Sequence, residues 1–257
     1  MTRNALGLGV DFGTSNSAAG YMCDGKPKLI RTAPGQTTMP TTFFFDYETQ
    51  KTLIGEPANR ALLEGVEGRF MRALKRVLGT SLMHERRQIL RERVTLVEII
   101  GRFLNQIKTQ AEAEAGVTFE RVLSGRPVVF HGPDDPREAQ AEADLRACYL
   151  AAGFREVEFM PEPEAAAIAS GALEQRGEIG LIVDIGGGTS DFSLFKSSGD
   201  GVSILASHGV RIGGTDFDRS ISIDRVMPLL GKGAELRKVM GPGTSPTPNA
   251  IFNELAT

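Results

Sequence analysis

One arrangement occurs twice in this chain, 173 residues apart: an apolar strand that ends in a carboxylate and a tight glycine turn. The first copy is Leu8-Gly9-Val10-Asp11-Phe12-Gly13-Thr14-Ser15, and the second is Ile182-Val183-Asp184-Ile185-Gly186-Gly187-Gly188-Thr189-Ser190-Asp191. Glycine has no Cβ to block close approach, so such a turn presents backbone N–H groups and hydroxyls to an anion. Two of them face to face would clamp a polyphosphate. The paired Asp11 and Asp184 would hold a hydrated Mg²⁺ against it, because Mg²⁺ takes carboxylate oxygens and keeps several waters. Either carboxylate alone fits equally well as a turn or helix cap; the pairing favours the metal. The interval is far too long for a solenoid repeat and marks a duplication of lobes.

Composition excludes more than it selects. With 257 residues, 41% hydrophobic and 24% charged, the chain reads as soluble and globular, large enough for two lobes. A net charge of -3 gives no general attraction to nucleic acid. The eight Lys and Arg between Arg69 and Arg93 read as a solvated helical face. Cys23 and Cys148 form neither a metal spacing nor a redox pair and are expected to be buried thiols; His84, His131 and His208 are too scattered for a metal or triad role. Met1 to Val10 is short and polar for a signal peptide, and no apolar run reaches a membrane span, so no membrane partner and a cytoplasmic location are expected.

Periodicity predicts an α/β order. Strands are expected at 5–12, 17–23 and 28–32, the last two joined by the Asp24-Gly25 turn, and another at 41–46. Residues 57–78 read as helical. The clearest helix is 94–115, with Leu96, Ile100, Phe103, Leu104 and Ile107 on one face and Gly116 as its stop. A strand at 121–130, a helix at 136–152, a strand at 156–160 and an alanine-rich helix from Glu162-Pro163 follow. Strands from Gly180, at 191–196 and at 202–208, with a turn at Asp200-Gly201, repeat the opening meander. An amphipathic helix over 215–230 comes next, with Phe217, Ile221, Val226 and Leu229 apolar. Gly241 to Pro248 holds three prolines and reads as loop or tail.

At these residues the chain resembles the ATPase domain of the Hsp70 family, within the actin, hexokinase and Hsp70 superfamily. The resembling segments are Asp11-Phe12-Gly13-Thr14-Ser15-Asn16, Ala73 to Gly79 around Lys75-Arg76, Glu162-Pro163-Glu164-Ala165-Ala166-Ala167-Ile168, the second glycine turn, and Gly213-Gly214-Thr215-Asp216-Phe217-Asp218. Their order over about Leu6 to Met227 is more specific than any one glycine turn. The resemblance implies an α/β, actin-like (ribonuclease H-like) ATPase fold of mixed five-stranded sheets with helices. It further implies a complete first lobe over 1–177 with an outer subdomain at about 39–93, the start of a second lobe over 178–232, and a Pro/Gly-rich loop or tail over 233–257.

The same resemblance implies ATP or ADP with Mg²⁺ as cofactors. Lys75 would orient the attacking water, with Glu162, Asp184 and Thr189 completing its surroundings. Gly13, Thr14, Ser15, Asn16, Gly186, Gly187, Gly188, Thr189, Gly213 and Gly214 would bind nucleotide, and Asp11, Asp184 and Asp191 would serve the metal. Pro127 matches a proline the family uses between lobes, although a strand-edge proline reads as well. Lys75 in an arginine-rich segment also fits an exposed cation, and Glu162 also suits the first turn of any helix.

Departures bear on function. The family's adenosine loop and peptide-binding domain have no counterpart here, since Pro242 and Pro246 spoil the faint likeness of Gly241 to Ser245, and the segment from Lys75 to Pro127 looks short. The expectation is therefore a slowly hydrolysing Hsp70-like nucleotide switch with a client protein or co-chaperone as partner, divergent and cut off within lobe two. Its helix at 215–230 should leave an exposed apolar patch open to self-association. A non-hydrolysing nucleotide sensor or scaffold and an actin-like filament protein remain the alternatives; a sugar kinase lacks a candidate base.

Overall fold

Leu8, Val10 and Phe12 alternate inward along the first strand, β1 (Gly7–Phe12), and everything else in the first half is arranged around it. The computed structural model describes residues 7–132, 134–170, 177–197, 202–238 and 240–256. β2 (Asn16–Cys23) runs antiparallel to β1, β3 (Lys26–Leu29) antiparallel to β2, and β4 (Thr38–Pro40) pairs with the start of β2. On the other side β10 (Arg121–Arg126) and β11 (Glu156–Pro161) add in parallel. This makes six strands, not the expected five, because β4 joins alongside the path β11-β10-β1-β2-β3.

Parallel pairing requires a long crossover. The connection from β2 to β10 contains α2 (Leu96–Ala115), and that from β10 to β11 contains α3 (Arg137–Ala151). Thr95 caps α2, accepting from the Glu98 N–H at 3.2 Å while Glu98 takes the Thr95 N–H at 2.7 Å, and Gly116 ends it with a left-handed φ of 68°. Gly101 lets α3 come close, since a Cβ there would lie 2.9 Å from the Ala151 Cβ. The core forms where α2 meets the sheet, with Phe103 5.9 Å from Phe12 and 5.6 Å from Phe43, ring centre to ring centre.

Residues 57–78 are not one helix. α1 (Glu56–Leu63) stops before Gly65, whose φ of 70° suits glycine, and β7 (Gly68–Arg72) then pairs with β5 (Thr42–Asp46), which also pairs with β6 (Thr52–Ile54). A Cβ at Gly68 would sit 2.5 Å from the Phe44 ring, so glycine is required there. The arginine-rich segment is likewise no helical face. It passes through β7, two short 3₁₀ turns (Leu74–Val77 and Ser81–Met83) and a hairpin of β8 (Arg87–Ile89) with β9 (Glu92–Val94). The strand expected to reach Phe130 ends at Arg126, because Pro127 has no N–H to donate and the Phe130 N–H goes to Glu138 at 2.9 Å. Cys148 is buried, but Cys23 is exposed at the open end of β2.

The second half repeats the meander as β12 (Ile179–Ile185), β13 (Ser190–Ser197) and β14 (Val202–Val210), three antiparallel strands rather than five among the described residues. The turn expected at Asp200-Gly201 lies outside those residues. Phe195 packs with Ala167 of α4 (Glu162–Ala169) on one face. On the other, Ile179, Leu181, Val183, Ile185, Phe192 and Leu194 are exposed. The helix expected over 215–230 divides into α5 (Gly214–Ile221), a π turn (Ser222–Val226) and a 3₁₀ turn (Met227–Leu230) containing Pro228. Phe217, Ile221, Val226 and Leu229 are exposed along it, as its amphipathic pattern predicts for a face without a partner. Within 233–257, β15 (Glu235–Arg237) pairs with β16 (Thr244–Pro246), and α6 (Asn249–Leu255) follows, so this stretch is not all loop. Pro246 is accommodated at the end of β16 because a two-stranded ribbon leaves outward-facing N–H positions unused, and Pro242 and Pro248 lie outside the strands.

Candidate functional site

The carboxyl ends of parallel strands are where an open α/β sheet leaves a crevice. Asp11 near the end of β1, Gly125 in β10 and Glu162 just beyond β11 meet there. A Cβ on Gly125 would lie 3.3 Å from Glu162 Cγ and 4.0 Å from Asp11 Oδ1, so the two carboxylates flank one glycine. Lys75 reaches the same place from the 3₁₀ turn, which the chain enters through Ala73 at φ 57°, a left-handed conformation uncommon outside glycine. Its Nζ donates to Glu162 Oε1 at 2.7 Å, and the two side chains are only 10% and 18% exposed. Lys75 is therefore not a solvated cation.

The second glycine turn packs onto the first. A Cβ on Gly187 would lie 2.3 Å from Ser15 Oγ, and one on Gly188 would lie 3.1 Å from Thr14 Oγ1. Between the halves is a cavity of about 600 Å³ lined by Asp11, Gly13, Thr14, Ser15, Asn16, Lys75, Glu162, Asp184, Gly186, Gly187 and Thr189. Gly188, by contrast, borders a smaller recess with Lys75 and Thr189. Gly213 and Gly214 lie behind the turn rather than along the cavity. The Gly214 N–H donates to the Gly186 carbonyl at 2.9 Å and the Thr215 N–H to that of Gly187 at 2.9 Å. A Cβ on Gly213 would lie 2.6 Å from both the Gly186 carbonyl oxygen and the Gly188 nitrogen, so this glycine serves the shape of the turn.

Burial is the first influence on the acids here. It raises Asp11 and Asp184 above the ordinary carboxylate range, with Glu162 adding repulsion and Lys75 opposing it. Asp191 is pushed up to about 6, mainly by burial and then by Glu162. It is 1% exposed, and its Oδ1 has no hydrogen-bond partner. Gly209 makes its space, since a Cβ there would lie 2.7 Å from that oxygen. Among the described residues no three His, Cys, Asp or Glu side chains converge to hold an ion alone. The donor set instead suits a cation that retains water and draws ligands from a bound phosphate.

Sequence reasoning missed the residues joining the halves. Arg76 donates to Thr215 Oγ1 and Asp216 Oδ1, both at 3.2 Å, and Arg211 donates to the Arg76 carbonyl at 2.8 Å. Arg76 was hidden in a run of like charges, and no motif marks Arg211. Burial works against Asp216, but the Gly213 N–H and Arg76 hold it below the ordinary range.

Known proteins resemble this chain over most of its length. The model of the Hsp70 protein family matches residues 7–95 and 86–227. A relative named chaperone protein DnaK from Nitrosopumilus maritimus is 32% identical over 226 residues, 86% of this chain and 34% of its own length. Others of that name, from Endomicrobium trichonymphae and Thermoplasma acidophilum, are 33% and 35% identical over 221 residues each. This chain thus spans about a third of the length of the curated relatives it matches. No helix among the described residues is long and apolar enough to cross a membrane. With its two glycine turns, Lys75-Glu162 pair and connecting helix all within the matched residues, the chain belongs to the Hsp70 protein family and has its α/β, actin-like ATPase fold.

Proposed function

We propose that this chain binds the phosphates of ATP or ADP with Mg²⁺ between its two glycine turns and that, within the whole protein, it hydrolyses ATP slowly as the nucleotide switch of a cytoplasmic chaperone. The observation that carries this reading is the apposition of Gly187 and Gly188 to Ser15 and Thr14 around a cavity that also receives Lys75, Asp11 and Asp184. The residues fit the ligand: hydroxyls and glycine N–H groups for phosphate oxygens, and acidic groups for a hydrated cation. When bound, Mg-ATP supplies the electrophilic phosphorus and the charge-neutralising metal.

The chain's own groups then have distinct tasks. Thr14, Ser15 and the turn from Gly186 to Thr189 hold phosphate oxygens. The Lys75 ammonium, held by Glu162, orients a water and offsets charge that develops on the phosphoryl oxygens. Asp184 and Thr189 complete the surroundings, Asp11 and Asp184 face the hydrated metal, and Asp191, buried and outside the cavity's lining, is the proposed support for the metal's water shell. A client protein or co-chaperone is the proposed macromolecular partner, and the exposed faces of β12–β13 and α5 are the proposed route to self-association.

Calorimetric titration with ADP, with and without Mg²⁺, tests the clamp. Mg²⁺-dependent binding supports it, and no binding by a folded sample refutes it. Turnover separates a hydrolase from a sensor: Lys75→Ala or Asp184→Asn should lower Mg-ATP hydrolysis by the whole protein severalfold or more, and unchanged turnover refutes those roles.

A further inference from the structure

The backbone that carries Lys75 is held from outside at three nearby points. The Arg76 carbonyl accepts from Arg211 Nη2 at 2.8 Å, the Leu78 carbonyl accepts from His131 Nε2 at 2.6 Å, and the Gly79 N–H donates to Asp144 Oδ2 at 2.8 Å. The last two partners lie in the first half of the duplication. Arg211 lies in the second, just past β14 and two residues before Gly213, which backs the second glycine turn.

A reciprocal link lies beside it. Arg76 reaches back to Thr215 and Asp216, while Thr215 Oγ1 donates to the Gly187 carbonyl at 2.6 Å. Lys75, Thr14, Gly188, Thr189 and Arg211 all line one recess of about 20 Å³, so Arg211 borders the same space as the groups placed in the hydrolytic site.

The chemistry favours arginine. Its planar fork serves the Arg76 carbonyl with one amino group and His131 Nδ1 with the other, at 3.1 Å, a fixed pair of donors that a flexible lysine stem does not preset. With Nε2 donating to Leu78, a neutral imidazole leaves Nδ1 free to accept. Arg211 is an exposed side chain whose guanidinium lies close to that of Arg76, and partial loss of hydration, then the neighbouring cation, disfavours its charge.

We propose that Arg211 is a positioning residue that ties the turn carrying Lys75 to the second glycine turn and so holds Lys75 in place beside Thr189. This rests on the reading of Lys75 as part of the hydrolytic site, and the test separates the two.

Arg211→Gln removes the donor fork, and Arg211→Lys keeps the cation and serves as the second variant. Hydrogen–deuterium exchange needs no turnover. The amides of Arg76, Leu78 and Thr80, hydrogen-bonded within the turn at 3.0, 3.4 and 3.1 Å, should exchange about tenfold faster in the glutamine variant. Those of α2 should not change, and the lysine variant should fall between. In Mg-ATP hydrolysis kcat should fall about tenfold with KM within about twofold, because no group assigned to the phosphate oxygens is removed.

Unchanged exchange in the turn overturns the proposal. So does faster exchange with kcat unaltered, since the contact would then be structural only. If the wild-type protein shows no turnover, the hydrolytic reading fails on its own. Exchange then still judges the tether: faster exchange in the glutamine variant supports it and unchanged exchange overturns it.

Discussion

Asp191→Asn should stabilise the ligand-free protein near neutral pH and not in acid. Asp191 is buried, with one unpartnered oxygen, and its carboxyl is pushed from 3.8 up to about 6. An acid whose folded value lies above its unfolded value favours the fold only while protonated. Its stabilising contribution is complete below the unfolded value and is lost as pH rises through about 6. At 1.36 kcal/mol per unit, a shift of about two units makes the ionised form cost about 3 kcal/mol above pH 6. Asparagine carries no charge at any pH, so it escapes this cost. Its amide leaves an unsatisfied donor where the carboxylate leaves an unsatisfied acceptor, and the orphan cost largely cancels. Thermal unfolding without nucleotide should therefore give a Tm higher by about 6–10 °C at about pH 7.5, and a gain near zero at about pH 4. The same variant should bind ADP more weakly in Mg²⁺, as expected where stability has been given up for function. An equal Tm change at both pH values, or a lower Tm at pH 7.5, would show that Asp191 is not held as a costly carboxylate.

Two further perturbations test the frame around the site. Gly213→Ala places a methyl 2.6 Å from two backbone atoms of the second glycine turn, which cannot rotate aside as a side chain could. It should weaken Mg-ADP binding about tenfold or more by calorimetry, and binding within twofold of wild type would mean that the turn is soft. Phe103→Ala empties the junction of Phe12 and Phe43 and should cost about 3–5 kcal/mol, read as a fall of about 10 °C or more in Tm. A drop of only a few degrees would mean that the core collapses around the gap.

Which features were legible in the sequence follows from how local their causes are. Both glycine turns, α2 with its Gly116 stop, and the entry to α4 depend on residues within one turn of each other, and each lies where local reasoning places it, while the Thr95 cap that starts α2 was not picked out from the sequence. Residues 57–78 were misread because the decisive contacts are distant. Phe70 and Arg69 pair with Phe44 and Phe45 across β5, and a pattern of charges gives no hint of that pairing. The environment of Lys75 was hidden for the same reason. Its partner Glu162 is 87 residues away, and only the closeness of β1, β10 and β11 brings the two together.

The duplication also explains why the two halves look so unlike. In the first, β1 has β10 as a parallel neighbour and α2 packed below, so its alternating apolar residues are buried. In the second, β12 repeats the role of β1, yet among the described residues its free edge has no strand beside it, and Leu181 is 62% exposed. The loops still match because their geometry is made within each meander and by the direct contact of Gly187 with Ser15. A phosphate clamp needs only the inner strands of each half. The exposed outer face of β12 is therefore separate from the opposed turns on which the proposed phosphate site depends.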